Sequence, residues 1–542
     1  MKTFQAVACA LADGGVERLF GLMGDANMAY VVSYIQHGQG TYVAALDERS
    51  ATAMADGYAR RSGKVGVVSV THGPGAANTI NPLVEAVRAG TPLLLLTGDT
   101  PAKYGEAQDI ELSALFAATG ADYYRAKSPA MVAGDVLRAL GQVAATGRPM
   151  VLNIPVDMLA ADVEYESSAR QSVVTPVLSP DPQAVDAAVG ALVASSRPVI
   201  LAGAGAVKSD AADALVALGE LVGAPLATSV GGKSLFFGQP YDLGIMGTIV
   251  EPWAAQVIAQ ANCIVSFGAS LNTNTTVDGG FLRGKTVIQV DSDPAHIARW
   301  HEAGIGVVGD ARATAEAMVA MLTEAEYVAE SPYREHALAP ASIRERNLAQ
   351  LTAEPDDPLD PKTASILLDQ LLPTARVLTL DSGRFMLPVA KYLHAESGAD
   401  FFHPMAWTSI GLGIATAIGI SIADPGRVTV ALVGDGGGYM GLLELPTAVR
   451  LKLPLVVVVY NDAAYGAEYM KLPAYGMNPD FARIELPDLT AIAQSLGARA
   501  VKVSTRSELE MALRNVADLD GPLLIDLHLS ATQNWGVPGQ GG

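Results

Sequence analysis

Cysteine is nearly absent: the 542 residues include only Cys9 and Cys263. The two lie far apart and fall in different predicted domains, which leaves no disulfide framework and no thiolate metal site, and both read as small buried hydrophobes. Long hydrophobic runs are also missing. Half the residues are hydrophobic, yet each apolar run is broken by Gly, Pro or an acid well short of the ~20 residues of a membrane span. No membrane partner is expected, and the apolar residues belong to buried sheets. Charged residues make up 17% of the chain, with 36 Lys and Arg against 56 Asp and Glu and a formal net charge of −20. That balance argues against nucleic acid or an anionic membrane as partner, since either calls for a basic patch. A secretory leader is not indicated: Asp13 and Glu17 closely follow the brief apolar stretch Ala6 to Leu11, the spacing of an amphipathic helix, so a cytoplasmic location is expected.

What is present is alternation. Short β-like runs at Val65 to Val70, Pro92 to Thr97 and Met150 to Pro155 are separated by helical periodicity, as in a parallel, doubly wound sheet. Glu166 to Pro182 reads as a linker. The pattern resumes with strand candidates at Pro198 to Ala202, Ala224 to Thr228, Cys263 to Phe267 and Thr286 to Val290. A polar, Pro-containing stretch from Ser331 to Pro361 marks a further boundary. Strands are then expected at Arg376 to Leu380, Val428 to Val433, Leu455 to Tyr460 and Pro522 to Leu527. The fold class is α/β, with three doubly wound parallel-sheet domains spanning 1–165, 185–330 and 360–535.

The run Val428 to Val433 leads into Gly434-Asp435-Gly436-Gly437-Gly438, which puts a carboxylate at a strand's C-terminal end and glycines where a helix begins. Backbone N–H groups there can approach a phosphate, and the acid can hold a divalent ion against it. After a helix from about Leu442 to Leu451, the next strand delivers Asn461 and Asp462. One strand–helix–strand crossover separates the two acids, so both can emerge at the same sheet edge and share one Mg²⁺. On these residues alone an ordinary loop before a helix stays open.

The run from Gly434 to Asp462 resembles the signature of thiamine diphosphate enzymes, which pairs Gly-Asp-Gly with Asn-Asn about this far downstream; Asp462 stands where the second Asn is usual. Asp47 to Ser50, Asp56 to Arg60 and Thr71-His72-Gly73-Pro74-Gly75-Ala76-Ala77-Asn78 resemble the pyrimidine-binding domain of the acetolactate synthase and 2-oxoacid decarboxylase superfamily. Arg197 to Gly205 resembles its central domain. The similarity covers nearly the full chain. It implies a pyrimidine-binding first domain, a Rossmann-like central one and a diphosphate- and Mg²⁺-binding third.

The resemblance also implies roles. Asp435, Asp462 and the main-chain carbonyl of Ala464 would hold Mg²⁺. Glu48 would hydrogen-bond the aminopyrimidine and promote its imino tautomer, where a surface Glu is the plain alternative. Ile410, in Thr408-Ser409-Ile410-Gly411, would wedge between the cofactor rings, with the Thr408 carbonyl accepting from the amino group. Ser382, Gly383 and Arg384 would supply backbone donors to the diphosphate, and Pro74, Asn78, Gly434, Gly436, Gly437 and Tyr465 would line the cofactor. Asp25 and Glu468 fall where decarboxylases of this group place proton-handling acids. Gln108, in the loop Gly105 to Glu111, matches the glutamine-bearing loop of acetolactate synthases, and His72 and His403 lie in segments that approach the cofactor.

FAD is not expected: Ile154 to Asp157 lacks the usual lysine, Ser270 to Asn274 lacks the acidic and arginine residues near that flavin, and no Trp closely follows Glu468. The implied activity is Mg²⁺-dependent carbon–carbon bond cleavage or formation on a 2-oxo acid or related carbonyl substrate, ending in aldehyde release or in carboligation. The implied assembly is a homodimer or homotetramer with active sites at subunit interfaces. Two readings stand beside it, an acetolactate synthase-like carboligase proper and a catalytically inactive nucleotide- or cofactor-binding protein. A dinucleotide oxidoreductase built on Gly203-Ala204-Gly205 lacks a supporting acid at a convincing distance.

Overall fold

The computed structural model describes residues 1–38, 40–100, 107–167, 177–351 and 354–536. Part of the expected linker (168–176), and Gly105 and Glu106 of the loop bearing Gln108, lie outside the described residues. In the first part of the chain, β1 (Arg18–Gly21), β2 (Thr41–Ala44), β3 (Gly66–Ser69), β4 (Leu93–Asp99), β5 (Asp122–Arg125) and β6 (Met150–Pro155) form one sheet in the order β2-β1-β3-β4-β6-β5. The second sheet contains β7 (Pro198–Ala202), β8 (Leu226–Thr228), β9 (Asp242–Ile245), β10 (Cys263–Phe267), β11 (Thr286–Asp291) and β12 (Ile305–Val308), ordered β12-β11-β10-β7-β8-β9. The third contains β13 (Arg376–Leu380), β14 (Phe401–Phe402), β15 (Val428–Gly434), β16 (Leu455–Asn461), β17 (Arg499–Val503) and β18 (Leu523–His528), ordered β14-β13-β15-β16-β18-β17. The described strand pairings are parallel throughout.

Counted within each sheet, the first and third share one order, 2-1-3-4-6-5. The second reads 3-2-1-4-5-6, the dinucleotide-binding arrangement. Interior strands are continuous apolar runs because helices cover both faces. Val456 to Val459 of β16 are fully buried; at ~1.5–3 kcal/mol per side chain this strand alone gains about as much as the ~5–15 kcal/mol net stability of a typical domain, the balance being consumed by chain entropy.

The first and third sheets meet through two helices. Glu48–Ser62 starts at Asp47, whose side chain accepts from Ser50 N–H, and stops at Gly63 in the left-handed region. Gly413–Ala423 is apolar nearly all round and buried for most of its length, as a helix enclosed by other elements must be. The two backbones touch where side chains are missing: a Cβ on Gly57 would lie 2.2 Å from Thr416 O, and one on Gly419 would lie 1.9 Å from Met54 O.

The polar stretch from Ser331 to Pro361, expected as a plain boundary, includes the short helices Tyr333–Ala337 and Ile343–Leu348. Buried Tyr333 donates to Val257 O, in the helix Pro252–Gln260, at 2.7 Å, and Asn347 donates to Lys391 O at 3.2 Å, so this stretch is docked on the central and third domains. Charged groups are buried between the second and third sheets. Lys233 donates to Ala390 O at 2.6 Å, Asp369 pairs with Arg376 and Arg344, and burial together with the Lys233 charge pushes His394 down to about 4.

Candidate active site

In the third sheet the order of strand addition reverses between β13 and β15, and the loops leaving these strands form the crevice where ligands of open α/β sheets bind. Asp381, at the end of β13, is fully buried and accepts from Ser382 N–H at 2.9 Å and Gly411 N–H at 2.8 Å. Burial pushes its carboxyl up to about 6. A Cβ on Gly437 would lie 2.8 Å from Asp381 Oδ2, so glycine there lets the first turn of the helix after β15 close over this acid. The sequence points to the segment Asp381 to Arg384 at this strand end as a source of backbone donors; the buried carboxylate of Asp381, bracing two loops, is what the structure adds.

Asp435 begins the helix Asp435–Gly441, accepts from Gly436 N–H at 2.7 Å and from Ala464 N–H at 3.2 Å, and is 3% exposed. Burial first and the Asp462 charge second push it up to about 6. Asp462, delivered by β16, is also raised by burial, with Arg384 opposing. Ala463 between Asp462 and Ala464 has φ 52°, a left-handed turn that folds the chain back toward Asp435. Tyr465 lies over the start of the same helix, its ring edge 3.1 Å from where a Gly436 Cβ would sit.

Two buried carboxylates, one of them raised by the charge of the other, suit a divalent cation, and glycines at 434, 436, 437 and 438 leave the helix start open to an anion. Among the described residues no three His, Cys, Asp or Glu side chains converge on a metal. A cation here would draw on two carboxylates and on main-chain or ligand oxygens, the usual arrangement for Mg²⁺ with a phosphate ester. The residues fit both groups.

The loop from His403 to Gly411 is pinned by the first domain. Glu85 accepts from Trp407 N–H at 2.7 Å, Arg88 lies over the Trp407 ring at 4.1 Å, and Asn81 donates to Ser409 Oγ at 2.7 Å. Thr408 has φ 61° and Gly411 φ 83°, so Ile410 sits between two left-handed turns. His403 lies beside Arg60, which donates to its carbonyl at 3.3 Å, with Phe401 and Gly231 as further neighbours. Burial and the Arg60 charge push it down to about 4. His403 thus sits where the three domains meet.

In the first sheet the reversal lies between β1 and β3. Glu48 opens its helix, is 8% exposed, and accepts from Asn78 Nδ2 at 3.0 Å. Gly75 leaves room for its other oxygen, 3.1 Å from where a Cβ would stand. Gly73, at φ 60°, precedes the short helix Pro74–Asn78, and a Cβ on it would meet Gln108 O at 2.6 Å. His72 is buried and its Nδ1 has no partner. Asp25 is exposed in the loop leaving β1, where Ala26 N–H reaches Thr71 Oγ1 at 3.4 Å. The structure thus brings the Asp25, His72 and Gln108 segments to one sheet edge. Glu468 is exposed on the helix Gly466–Lys471, in the third domain.

The Arg384 side chain makes contacts that the sequence did not indicate: it pairs with Asp462, donates to Ala531 O at 3.1 Å and stacks on Trp535 at 4.5 Å.

Three family profiles match in chain order: the N-terminal TPP binding domain of thiamine pyrophosphate enzymes over residues 1–113, their central domain over 185–318 and their C-terminal TPP binding domain over 381–527. A probable 2-ketoarginine decarboxylase of Pseudomonas aeruginosa is 30% identical, with 96% of this chain and 93% of that protein covered. The chain belongs to the thiamine pyrophosphate enzymes. A probable acetolactate synthase large subunit of Methanococcus aeolicus is 25% identical over 97% of this chain and 92% of that one. Among solved structures, a thiamine diphosphate-dependent 4-hydroxybenzoylformate decarboxylase of Rhodococcus jostii superposes with a TM-score of 0.83 at 20% identity, covering 98% and 99% of the two chains; that likeness is one of fold. In the central domain of this thiamine pyrophosphate enzyme, Gly205 N–H donates to Gly268 O at 3.0 Å and a Cβ on Gly203 would lie 2.2 Å from the same oxygen. Glycine packing against glycine thus fills the crevice between β7 and β10. No described helix is long and apolar enough to cross a membrane.

Proposed function

We propose that this chain is a Mg²⁺-dependent decarboxylase or carboligase acting on a 2-oxo acid. The observation that carries the reading is the buried Asp435–Asp462 pair at the reversal point of the third sheet, beside a helix start stripped of side chains. Asp435, Asp462 and the Ala464 carbonyl would hold Mg²⁺, while Gly434, Gly436, Gly437, Gly383 and the Tyr465 ring would border the diphosphate. Bound thiamine diphosphate supplies a nucleophilic carbon that adds to the substrate carbonyl and accepts the electron pair left by CO₂.

The chain's own groups do the rest. Asn78 fixes one oxygen of Glu48, and Glu48 holds a proton toward the pyrimidine ring. The left-handed turns at Thr408 and Gly411 present Ile410 as the wedge and the Thr408 carbonyl as acceptor. Asp25, His72 and Gln108, from one sheet edge, and Glu468, from the loop after the metal site, would face the substrate. Glu468 is the proposed proton donor for aldehyde release. The synthase and decarboxylase names among the relatives match the two outcomes, protonation of the decarboxylated product or its attack on a second carbonyl.

Calorimetric titration of apoprotein with thiamine diphosphate and Mg²⁺ tests the site, and a screen of 2-oxo acids for CO₂ and products tests the chemistry. Saturable, Mg²⁺-dependent binding with CO₂ release is expected. Binding with no turnover of any 2-oxo acid would favour an inactive cofactor-binding protein.

A further inference from the structure

The pairing of Arg384 with Asp462 joins residues far apart in sequence and buries both, at 2% and 6% side-chain exposure. The surroundings are shaped for it. Arg384 is sandwiched near the rings of Trp535 and Tyr469, at 4.5 and 5.4 Å, and its second terminal nitrogen is held by Ala531 O at 3.1 Å. Gly466 is where the pair would otherwise be blocked: a Cβ there would lie 2.7 Å from Arg384 Nε and 3.1 Å from Asp462 Oδ2.

Asp462 stands where the resembling signature has a neutral Asn. With Asp435 it makes two carboxylates against a diphosphate already rich in negative charge, one anion more than the usual site carries. A buried charge without a partner is costly, and a guanidinium is suited to meet it because it is planar, permanently charged and able to stack. We propose that Arg384 is a positioning residue that offsets the charge Asp462 adds, so that the pair does electrostatically what a neutral Asn does in the usual signature. The proposal rests on the diphosphate–Mg²⁺ reading of this site. Arg384 sets the orientation and effective charge of Asp462, and through Ala531 and Trp535 it ties the segment near the C-terminus to the metal site.

The test is a double-mutant cycle on full-length protein: Arg384→Gln, Asp462→Asn and the two together, read by calorimetry with Mg²⁺ and thiamine diphosphate, by Mn²⁺ binding to apoprotein, and by the apoprotein melting temperature. Each single variant leaves one buried charge unmatched and is expected to weaken cofactor binding ~10-fold or more, with the double variant returning to within ~3-fold of wild type, a coupling of the size contacting residues show. Mn²⁺ alone should bind more tightly to Arg384→Gln and more weakly to Asp462→Asn. A purely structural contact would shift both the same way. If a single variant does not fold, the double variant, which leaves no unmatched charge, still decides. Additive losses, a double variant well below wild type, or unaltered single variants would overturn the proposal. Failure of the wild type to bind Mg²⁺ and thiamine diphosphate would overturn the reading beneath it.

Discussion

Glu48 sits at the first turn of a buried helix with one oxygen fixed by Asn78, and the role proposed for it is proton transfer rather than affinity. Glu48→Gln is expected to keep most Mg²⁺-dependent cofactor binding and to slow exchange of the thiazolium proton ~100-fold or more, measured by proton NMR in D₂O; exchange at the wild-type rate would remove Glu48 from the chemistry. His394 makes a second prediction. Its ordinary value of 6.5 is pushed down to about 4 in the fold, so between those values the unfolded chain binds a proton that the folded chain refuses. Its contribution to stability is present above about 6.5 and is lost as pH falls toward 4, costing roughly 2 kcal/mol between pH 7 and 5. The drop in melting temperature over that interval should therefore be smaller in His394→Leu than in wild type. Asp435 and Asp462 stand out in local sequence because strand ends and, for Asp435, glycines flank them, whereas Glu48 stands out only through the family resemblance. Local sequence did not reveal Arg384 against Asp462 or Asp381 beneath Gly411, since those contacts are made by loops from different strands and leave no trace in spacing.

Among the elements, the interior strands were readable from sequence, with β1 the exception, because each is a buried apolar run. The strands that went unread are otherwise the sheet edges, β2, β5, β9, β12, β14 and β17. Most are partly exposed, with patterns such as Thr41–Ala44 and Arg499–Val503 in which polar and apolar residues mix, and β14 has only two residues. An edge strand is covered less and must resist pairing with other chains, so its composition loses the signal. The helix contact between Glu48–Ser62 and Gly413–Ala423 was equally silent, because Gly57 and Gly419 look like weak helix positions until the partner backbone is placed against them. Gly419→Ala puts a methyl group 1.9 Å from Met54 O and is expected to cost ~1–3 kcal/mol or more through overpacking, read as a lower urea midpoint with the slope retained. An unchanged midpoint would mean that the helices part without penalty.

At the scale of the molecule, the helix Met28–His37 exposes Met28, Val32 and Ile35 along one stripe, and Leu46, Met440 and Leu443 add further exposed apolar side chains. A second copy of the chain is the expected cover. Light scattering of the holoenzyme under assay conditions should give at least twice the chain mass, and an active monomer would refute it.

The matching strand orders of the first and third sheets have a further consequence. The helix after the second strand of one meets the helix after the second strand of the other, Gly57 against Thr416 O and Gly419 against Met54 O. This is the self-complementary contact of a two-fold dimer, made inside one polypeptide. The two ends of the chain therefore hold each other as equals, each helix supplying one glycine and receiving one backbone carbonyl of the other.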